Sequence, residues 1–219
     1  FNTCVTDTSA FSAGVPTNHW GYQYPFSGEG YVGLITYYAT SSYREFLGGE
    51  LSSALEVGAT YNVSMRVSSG KCFYDGGGFN NNLGFRFTNY AYSESNPIPI
   101  DNFAHVVFDT IVTDTVNWVE LTGTFVADSA YTKFAIGNFF DINNTQYIDP
   151  DNCGSGAAYY YIDEISVAQD PFANIQDLKL EIKVVKVVDL LGRETNVSGE
   201  AIQLFIFDNG TVEKRMVVD

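Results

Sequence analysis

The chain has 219 residues, enough for one β-sandwich or for one domain with a small second unit. Aromatic residues make up 16% of it and charged residues only 17%, which is typical of β-sheets rather than of helical bundles or disordered tails. The formal net charge of −15 is repelled by phosphates and anionic lipids, so it argues against nucleic-acid and membrane-surface partners.

The first three quarters of the chain carries the pattern of an all-β domain. Period-2 alternation and β-branched or aromatic runs recur between clusters of Gly, Asn, Ser and Asp. The predicted strands are 30–38, 43–47, 61–68, 83–90, 104–109, 117–126, 133–140 and 157–167. Within them Gly123 is a candidate bulge, and no segment predicts a helix longer than about two turns, the best short candidate being 49–55. Short strands separated by turn-rich loops predict an antiparallel jelly-roll β-sandwich over 1–168.

The charge pattern changes near residue 170. Up to that point the chain has 18 acidic and 5 basic residues, and after it 8 acidic and 6 basic residues. Residues 169–177 have the composition of a linker. Beyond it, three apolar runs predict strands over 178–188, 201–207 and 211–218, which would form a small β-meander. The sequence therefore predicts a second, smaller domain over 178–219.

Two turn motifs in this second domain carry a resemblance. DLLGRE occupies 189–194, and Asp208-Asn-Gly210 is a hairpin turn because Asn-Gly accepts positive φ. With the flanking strands, these motifs resemble the type A C-terminal sorting domain of the type IX secretion system of Bacteroidetes. The residues that would carry the signal are Lys186, Asp189, Leu191, Gly192, Arg193, Glu194, Asp208, Asn209, Gly210 and Lys214.

The resemblance implies a route and partners. A type IX substrate is exported across the outer membrane to the cell surface or the medium. Its sorting domain docks on the shuttle protein PorV and the SprA translocon, and a type A domain is ordinarily cleaved on arrival.

A second resemblance covers 1–167. The segments 1–4, 21–25 and 30–33 and the closing strand 159–167 are similar to a galactose-binding-like jelly-roll module common in exported proteins. In that family an opening strand lies beside the closing strand. Nothing similar precedes Phe1, so the resemblance implies a module that lacks its first strand. It also implies that Asp163 helps to hold a structural Ca²⁺.

Three aromatic residues near the start form a candidate ligand site. Trp20, Tyr22 and Tyr24 alternate, so they share one face if the segment is extended. Aromatic faces stack on sugar rings, and Asn18, His19 and Gln23 would supply polar neighbours. The alternative is that these rings belong to the sandwich core.

The remaining candidate sites are oxygen-rich loops and short sequons. Asp149 and Asp151 lie in a loop whose carboxylates suit a hard cation such as Ca²⁺, although an Asx turn explains them equally. Three Asp-Ser/Thr-apolar triplets resemble the O-glycosylation sequon of this bacterial group, at Thr110, Thr115 and Ser129.

The sequence favours a non-catalytic protein. Neither histidine has metal-ligand spacing, and the G-x-S-x-G motif of a nucleophile elbow is missing. The preferred interpretation is an adhesin-like or carbohydrate-binding surface module. The alternatives are an accessory module of a larger polysaccharide-degrading enzyme, with its catalytic domain upstream, and a plain spacer. Cys4, Cys72 and Cys153 allow one disulfide, and its pairing stays open.

Overall fold

A computed structural model describes residues 1–4, 13–71, 77–150, 152, 156–171, 183–195 and 201–217. The chain divides into two compact units, Phe1–Pro171 and Phe172–Asp219. The strands of the first unit are β1 (Thr17–Asn18), β2 (Gly21–Tyr22), β3 (Val32–Tyr38), β4 (Leu47–Glu50), β5 (Thr60–Ser69), β6 (Phe79–Asn80), β7 (Leu83–Thr88), β8 (Val106–Phe108), β9 (Val119–Val126), β10 (Lys133–Asn138), β11 (Tyr147–Ile148) and β12 (Ala157–Gln169). No helix among the described residues is long and apolar enough to cross a membrane.

Two antiparallel sheets of four strands form the body of the first unit. Their strand orders are β3-β12-β5-β9 and β4-β10-β7-β8. The first of these eight strands pairs with the last, the second with the seventh, the third with the sixth and the fourth with the fifth. This is the pairing of one long antiparallel hairpin rolled into a barrel, the jelly roll. The predicted fold class is confirmed.

The main core fills the space between the two sheets. Along β5 the buried apolar side chains are Tyr61, Val63, Met65 and Val67, the apolar face that the alternation predicts. The other sheet contributes Phe85, Phe87 and Ile136, with Phe87 stacked on Phe125 of β9 at 4.4 Å between ring centroids. Each such side chain stabilises the fold by about 1.5–3 kcal/mol through removal from water.

A second, smaller core lies on the outer face of the β3-β12-β5-β9 sheet. Side chains alternate along β12, so Tyr160 faces the main core while Tyr159 and Tyr161 face outward. The N-terminal segment covers these two rings. Trp20 stacks on Tyr159 at 4.1 Å with the ring planes 7° apart, and Phe1 meets Tyr161 edge-on at 5.6 Å. Around these tyrosines the sheet is therefore apolar on both faces.

Three local predictions are wrong. No helix forms at 49–55, because Gly49 and Glu50 belong to β4 and Leu51 N donates to Thr132 O. The strand predicted at 43–47 starts only at Leu47. Gly123 is not a bulge, because the register of β9 with β5 is continuous through it. A Cβ there would collide with Val106, so a close approach between sheets explains this glycine.

Hydrogen bonds join Tyr161, one of the two outward tyrosines of β12, to the N-terminal segment. The Tyr161 hydroxyl donates to Asn18 Oδ1 at 2.7 Å, and Asn18 Nδ2 donates to the Tyr31 hydroxyl at 2.9 Å. The Tyr31 hydroxyl in turn donates to Gln23 O at 3.0 Å. Burial raises the pKa of Tyr161 and of Tyr31, so both stay neutral donors. Residues 18–31 are thereby fixed to the sheet.

Replacing Tyr161 with Phe should lower the free energy of unfolding by about 0.5–1.5 kcal/mol, because Asn18 Oδ1 loses one of its two donors and keeps only Trp20 N. Urea denaturation of the full chain measures this loss. The matched control is Tyr24→Phe, which removes an exposed hydroxyl and should change stability by less than about 0.5 kcal/mol. Equal effects of the two variants would contradict the assigned role of the Tyr161 hydroxyl.

His105 lies at the rim of the main core in a chain of hydrogen bonds. Its Nδ1 accepts from Phe87 N at 3.0 Å, and its Nε2 lies 3.0 Å from the Tyr131 hydroxyl. That hydroxyl donates to Asp128 Oδ1 at 2.8 Å. Burial lowers the pKa of His105, while the Asp128 charge acts to raise it and the Arg86 charge to lower it. An Nδ1 that accepts from a backbone N–H requires a neutral ring.

This geometry predicts a loss of stability in mild acid. The folded-state pKa of His105 is below the unfolded value of about 6.5, so the unfolded chain binds the proton first. The contribution of His105 is complete above that pH and is lost as the pH falls below it. In His105→Gln the fall in unfolding free energy between pH 7 and pH 5 should be smaller than in the wild type. An unchanged pH profile would contradict the assignment.

The second unit contains a three-stranded antiparallel sheet. Its strands are β13 (Val184–Asp189), β14 (Ala201–Phe207) and β15 (Val212–Val217), in the order β13-β14-β15. The bounds of β14 are those predicted from the sequence. Phe205 and Val188 are its buried apolar side chains among the described residues, and the Arg215 guanidinium lies 4.9 Å over the Phe205 ring.

Candidate functional site

The hairpin of β1 and β2 orients the aromatic residues near the N-terminus. Asn18 Oδ1 accepts from Trp20 N at 2.9 Å and closes the turn. Gly21 follows with φ of +148°, where a side chain would press against Lys71 and Tyr161. A glycine is needed there because the hairpin lies so close to the sheet. The turn directs Trp20 inward and Tyr22 outward.

Tyr22 and Tyr24 form one wall of an open cleft of about 240 Å³. Their side chains are 50% and 61% exposed. The two rings are perpendicular, with centroids 5.7 Å apart, and the hydroxyls are 3.3 Å apart. We call this site the tyrosine cleft; its lining residues are Tyr22, Gln23, Tyr24, Pro25, Lys71, Thr115, Val116 and Trp118.

Trp118 and the turn before it complete the tyrosine cleft. Trp118 Nε1 donates to Tyr24 O at 2.9 Å, which fixes the indole against the tyrosine segment. The Asp114 carboxylate accepts from Val116 N and Asn117 N, both at 2.8 Å, and so shapes the turn that carries Thr115. These hydrogen bonds, with that of the Asn117 side chain, lower the pKa of Asp114.

The sequence pattern identified only part of the tyrosine cleft. Tyr22 and Tyr24 lie in it, but Trp20 is half-buried against Tyr159, and Asn18 and His19 are buried. Trp118 takes the place that Trp20 was expected to fill. The available signal was a tryptophan directly before β9, on the same face as exposed Glu120 and Thr122, where a large aromatic residue is unexpected. Its indole also meets the Tyr31 ring edge-on, with the centroids 5.7 Å apart.

A second groove of about 270 Å³ crosses the outer face of the other sheet. We call it the sheet groove. Its floor includes Gly48 and Gly49 of β4, and one wall is Tyr90 and Tyr92, whose rings meet at 74° with centroids 5.3 Å apart. An ion pair between Lys133 and Glu50 closes one side and lowers the pKa of Glu50.

The residues suggested as metal ligands are not brought together in the described part of the chain. Asp163 lies where the register of β12 with β5 shifts, and its Oδ2 accepts from Phe26 N at 2.8 Å and Ser27 N at 3.2 Å. Asp163 thus holds the end of the aromatic segment. Asp149 follows β11, and Asp151 lies outside the described residues. No group of three or more His, Cys, Asp or Glu with metal-binding geometry occurs among the described residues. The Ca²⁺ site stays a prediction.

The modification candidates occupy different surfaces. Thr110 is exposed, Thr115 lines the tyrosine cleft, and Ser129 Oγ accepts from Asn89 Nδ2 at 3.3 Å. Glycosylation at these positions stays a prediction. Cys4 is an exposed free thiol. Cys72 and Cys153 lie outside the described residues, so the question of their pairing is unchanged.

The candidate sorting residues of the second unit form two ordered turns. Asp189 Oδ1 accepts from Leu191 N at 2.9 Å and Arg193 N at 3.0 Å, and its Oδ2 accepts from Arg193 Nε at 2.8 Å. These bonds lower the pKa of Asp189, and Gly192 completes the turn at φ +79°. Lys186 pairs with Glu194 at 2.7 Å across its base.

The second turn is the predicted hairpin. Asn209 Oδ1 accepts from Thr211 N at 3.0 Å, and Gly210 has φ of +81°. Asp208 Oδ1 accepts from Lys183 N at 3.2 Å, and Lys214 lies opposite Leu204 in the ladder of β14 and β15. The contacts that shape each turn, around Asp189 and around Asn209, lie within four positions of the chain, which is why the sequence pattern predicted the two turns.

Comparisons with known proteins add little to this geometry. The chain matches no family model and no curated protein. Among solved structures it is similar to the carbohydrate-binding module CBM4, with 11% identity and a TM-score of 0.37 over 64% of this chain and 84% of that chain. It is also similar to a proposed sugar-binding protein from Bacteroides thetaiotaomicron VPI-5482, with 12% identity and a TM-score of 0.30 over 61% and 71%. A likeness this distant carries no argument about ligand or site residues.

Proposed function

We propose that the sandwich unit is a non-catalytic carbohydrate-binding module whose ligand lies in the tyrosine cleft. The observation that carries the proposal is the pair of exposed, mutually perpendicular rings of Tyr22 and Tyr24 beside the indole of Trp118. Exposed aromatic faces that are held in place by backbone contacts stack on the C–H faces of sugar rings at little cost in side-chain entropy.

Polar groups around the rings support a saccharide over a purely apolar ligand. Lys71 and Thr115 line the cleft and can hydrogen-bond to sugar hydroxyls. The described lining residues include no carboxylate and no histidine. Glycoside hydrolysis ordinarily needs two carboxyl groups, so these lining residues suit binding rather than cleavage.

Loss of either exposed ring should weaken glycan binding. The full chain is screened on a glycan array, and the best ligand is titrated by calorimetry. Tyr24→Ala should lower the affinity about tenfold, which corresponds to about 1.4 kcal/mol. Trp118→Ala should have at least this effect, because it also releases Tyr24 O. The melting temperature of each variant shows whether the unit remains folded.

The matched control for this experiment is Tyr90→Ala. Tyr90 is an equally exposed tyrosine in the sheet groove. Its replacement should leave affinity unchanged. If Tyr90→Ala abolishes binding while Tyr24→Ala does not, the ligand lies in the sheet groove and the proposal for the tyrosine cleft is wrong.

We further propose that the second unit is a signal for type IX secretion and that the protein acts at the cell surface or in the medium, as an adhesin-like module. Its ordered turn supports this proposal because it exposes two adjacent leucines, with Leu191 at 76%. Exposed apolar side chains on a rigid turn are suited to docking, here on PorV and the SprA translocon. The PorV and SprA assignment rests on the resemblance of the turn motifs.

Removal of 178–219 should leave the protein in the periplasm of a type IX-competent host. Immunoblots of periplasm, cell surface and medium measure the distribution. Leu191→Asp should reduce export in the same direction, whereas Met216→Asp, at an equally exposed position on β15, should not. Secretion of the truncated chain at the normal level would contradict the export proposal and leave the carbohydrate proposal unaffected.

A further inference from the structure

Arg44 is a buried cation that has no acidic partner among the described residues. It lies between β3 and β4 and is only 9% exposed. Its Nη1 donates to Tyr43 O at 2.8 Å, which is its only side-chain hydrogen bond among the described residues. Its Nε is buried and has no partner there. A guanidinium has five N–H donors, so most of its hydrogen-bonding capacity is unused.

The other four arginines of the chain are paired. Each has a carboxylate oxygen within 3.4 Å, and each is more exposed than Arg44. Burial of a charge without a counter-charge costs several kcal/mol, and the burial of Arg44 accordingly lowers its pKa. The most buried arginine is therefore the one that the described residues leave without a counter-charge.

Stacked rings hold the Arg44 guanidinium in one orientation. Its Cζ lies 4.7 Å over the Tyr37 ring, and Tyr37 stacks on Tyr147 at 4.7 Å with the planes 17° apart. Both tyrosines belong to the body of the sandwich. A cation–π contact of this kind compensates only part of the cost of burial. It also preorganises the planar fork of N–H donors, which matches a carboxylate.

Arg44 lines a pocket of about 300 Å³, which we call the Arg44 pocket. Its lining contains apolar side chains, hydroxyl groups and two charged residues, Arg44 and Asp141. The lining residues are Ala39, Thr40, Ser41, Ser42, Arg44, Ile100, Asp141 and Ile142. Apolar walls with a few hydroxyls suit the two faces of a sugar ring.

The Asp141 carboxylate accepts hydrogen bonds from its own turn and from Asn102. Its Oδ1 accepts from Asn143 N at 2.9 Å and Asn144 N at 3.0 Å, and its Oδ2 accepts from Asn102 Nδ2 at 2.9 Å. These bonds lower the pKa of Asp141 and stabilise its anion without Arg44. Asp141 forms no ion pair with Arg44. A ligand carboxylate can therefore use the Arg44 donors that no described residue occupies.

We propose that the Arg44 pocket binds the carboxylate of an acidic sugar, with the guanidinium as its counter-charge. The ring of the sugar packs between Ala39, Ile100 and Ile142, and its hydroxyls meet Thr40, Ser41 and Ser42. The net charge of −15 repels anions at long range, so the affinity comes from short-range contacts with Arg44. This site uses none of the residues of the tyrosine cleft, and neither site depends on the other.

The test is a titration of the full chain, followed by NMR, with D-glucuronate, D-glucose and acetate as probes. D-glucuronate should bind more tightly than either of the other two, because only it offers both the carboxylate and the ring. Arg44→Gln should weaken the binding of D-glucuronate at least tenfold, and Arg44→Lys should restore part of it. Tyr24→Ala should have no effect, which separates this site from the tyrosine cleft.

A second variant keeps the test decisive if Arg44→Gln fails to fold. Ser42→Tyr, at an exposed position, adds a ring to the pocket lining while Arg44 is kept, and it should abolish D-glucuronate binding at an unchanged melting temperature. Acetate binding as tight as that of D-glucuronate would overturn the sugar assignment. Binding that survives Ser42→Tyr, or that disappears in Tyr24→Ala, would overturn the site.

Discussion

The first unit depends on one strand that is apolar on both sides. β12 runs between β3 and β5, and its consecutive tyrosines face opposite layers. The Tyr160 hydroxyl donates to Asn80 O at 2.9 Å and fixes the short β6 ladder at one end of the sandwich. Tyr159 and Tyr161 hold the N-terminal segment against the outer face. The position of the tyrosine cleft follows from this second layer, because its hairpin has almost no ladder of its own.

The two proposed ligand sites would bind different chemical groups of a glycan. The tyrosine cleft offers exposed rings and neutral or weakly polar groups, whereas the Arg44 pocket offers a single buried cation. Both draw side chains from loops that the sandwich holds rigid, which is where binding residues concentrate in β-sandwiches. Because no described residue supplies a counter-charge to Arg44, its burial costs more free energy than the exposure of the rings in the tyrosine cleft. The surroundings of Arg44, two stacked tyrosines and a backbone carbonyl, stabilise it only in part.

Sequence patterns predicted the long strands and the short β8, and they missed the strands of two residues. β5, β9 and β12 were predicted because alternation over 8 or more residues leaves little ambiguity. The ladders of β1 with β2 and of β6 with β11 are 2 residues long, and side-chain contacts from distant strands hold them. At 49–55 the residues favour neither helix nor strand strongly. There the pairing of Gly49 with Phe134 decided the conformation.

The sequence by itself determined what depends on near neighbours: the alternation of buried faces, the turns at Asp189 and Asn209, and the overall charge. Tertiary structure alone decided which distant segment each tryptophan contacts. Trp20 stacks on Tyr159, while Trp118 meets Tyr24 across 94 positions of the chain. It also left Arg44, alone among the arginines, without a carboxylate partner in the described part of the chain. The physical reason is that the burial and pairing of a side chain depend on residues far along the chain, which a local pattern does not specify.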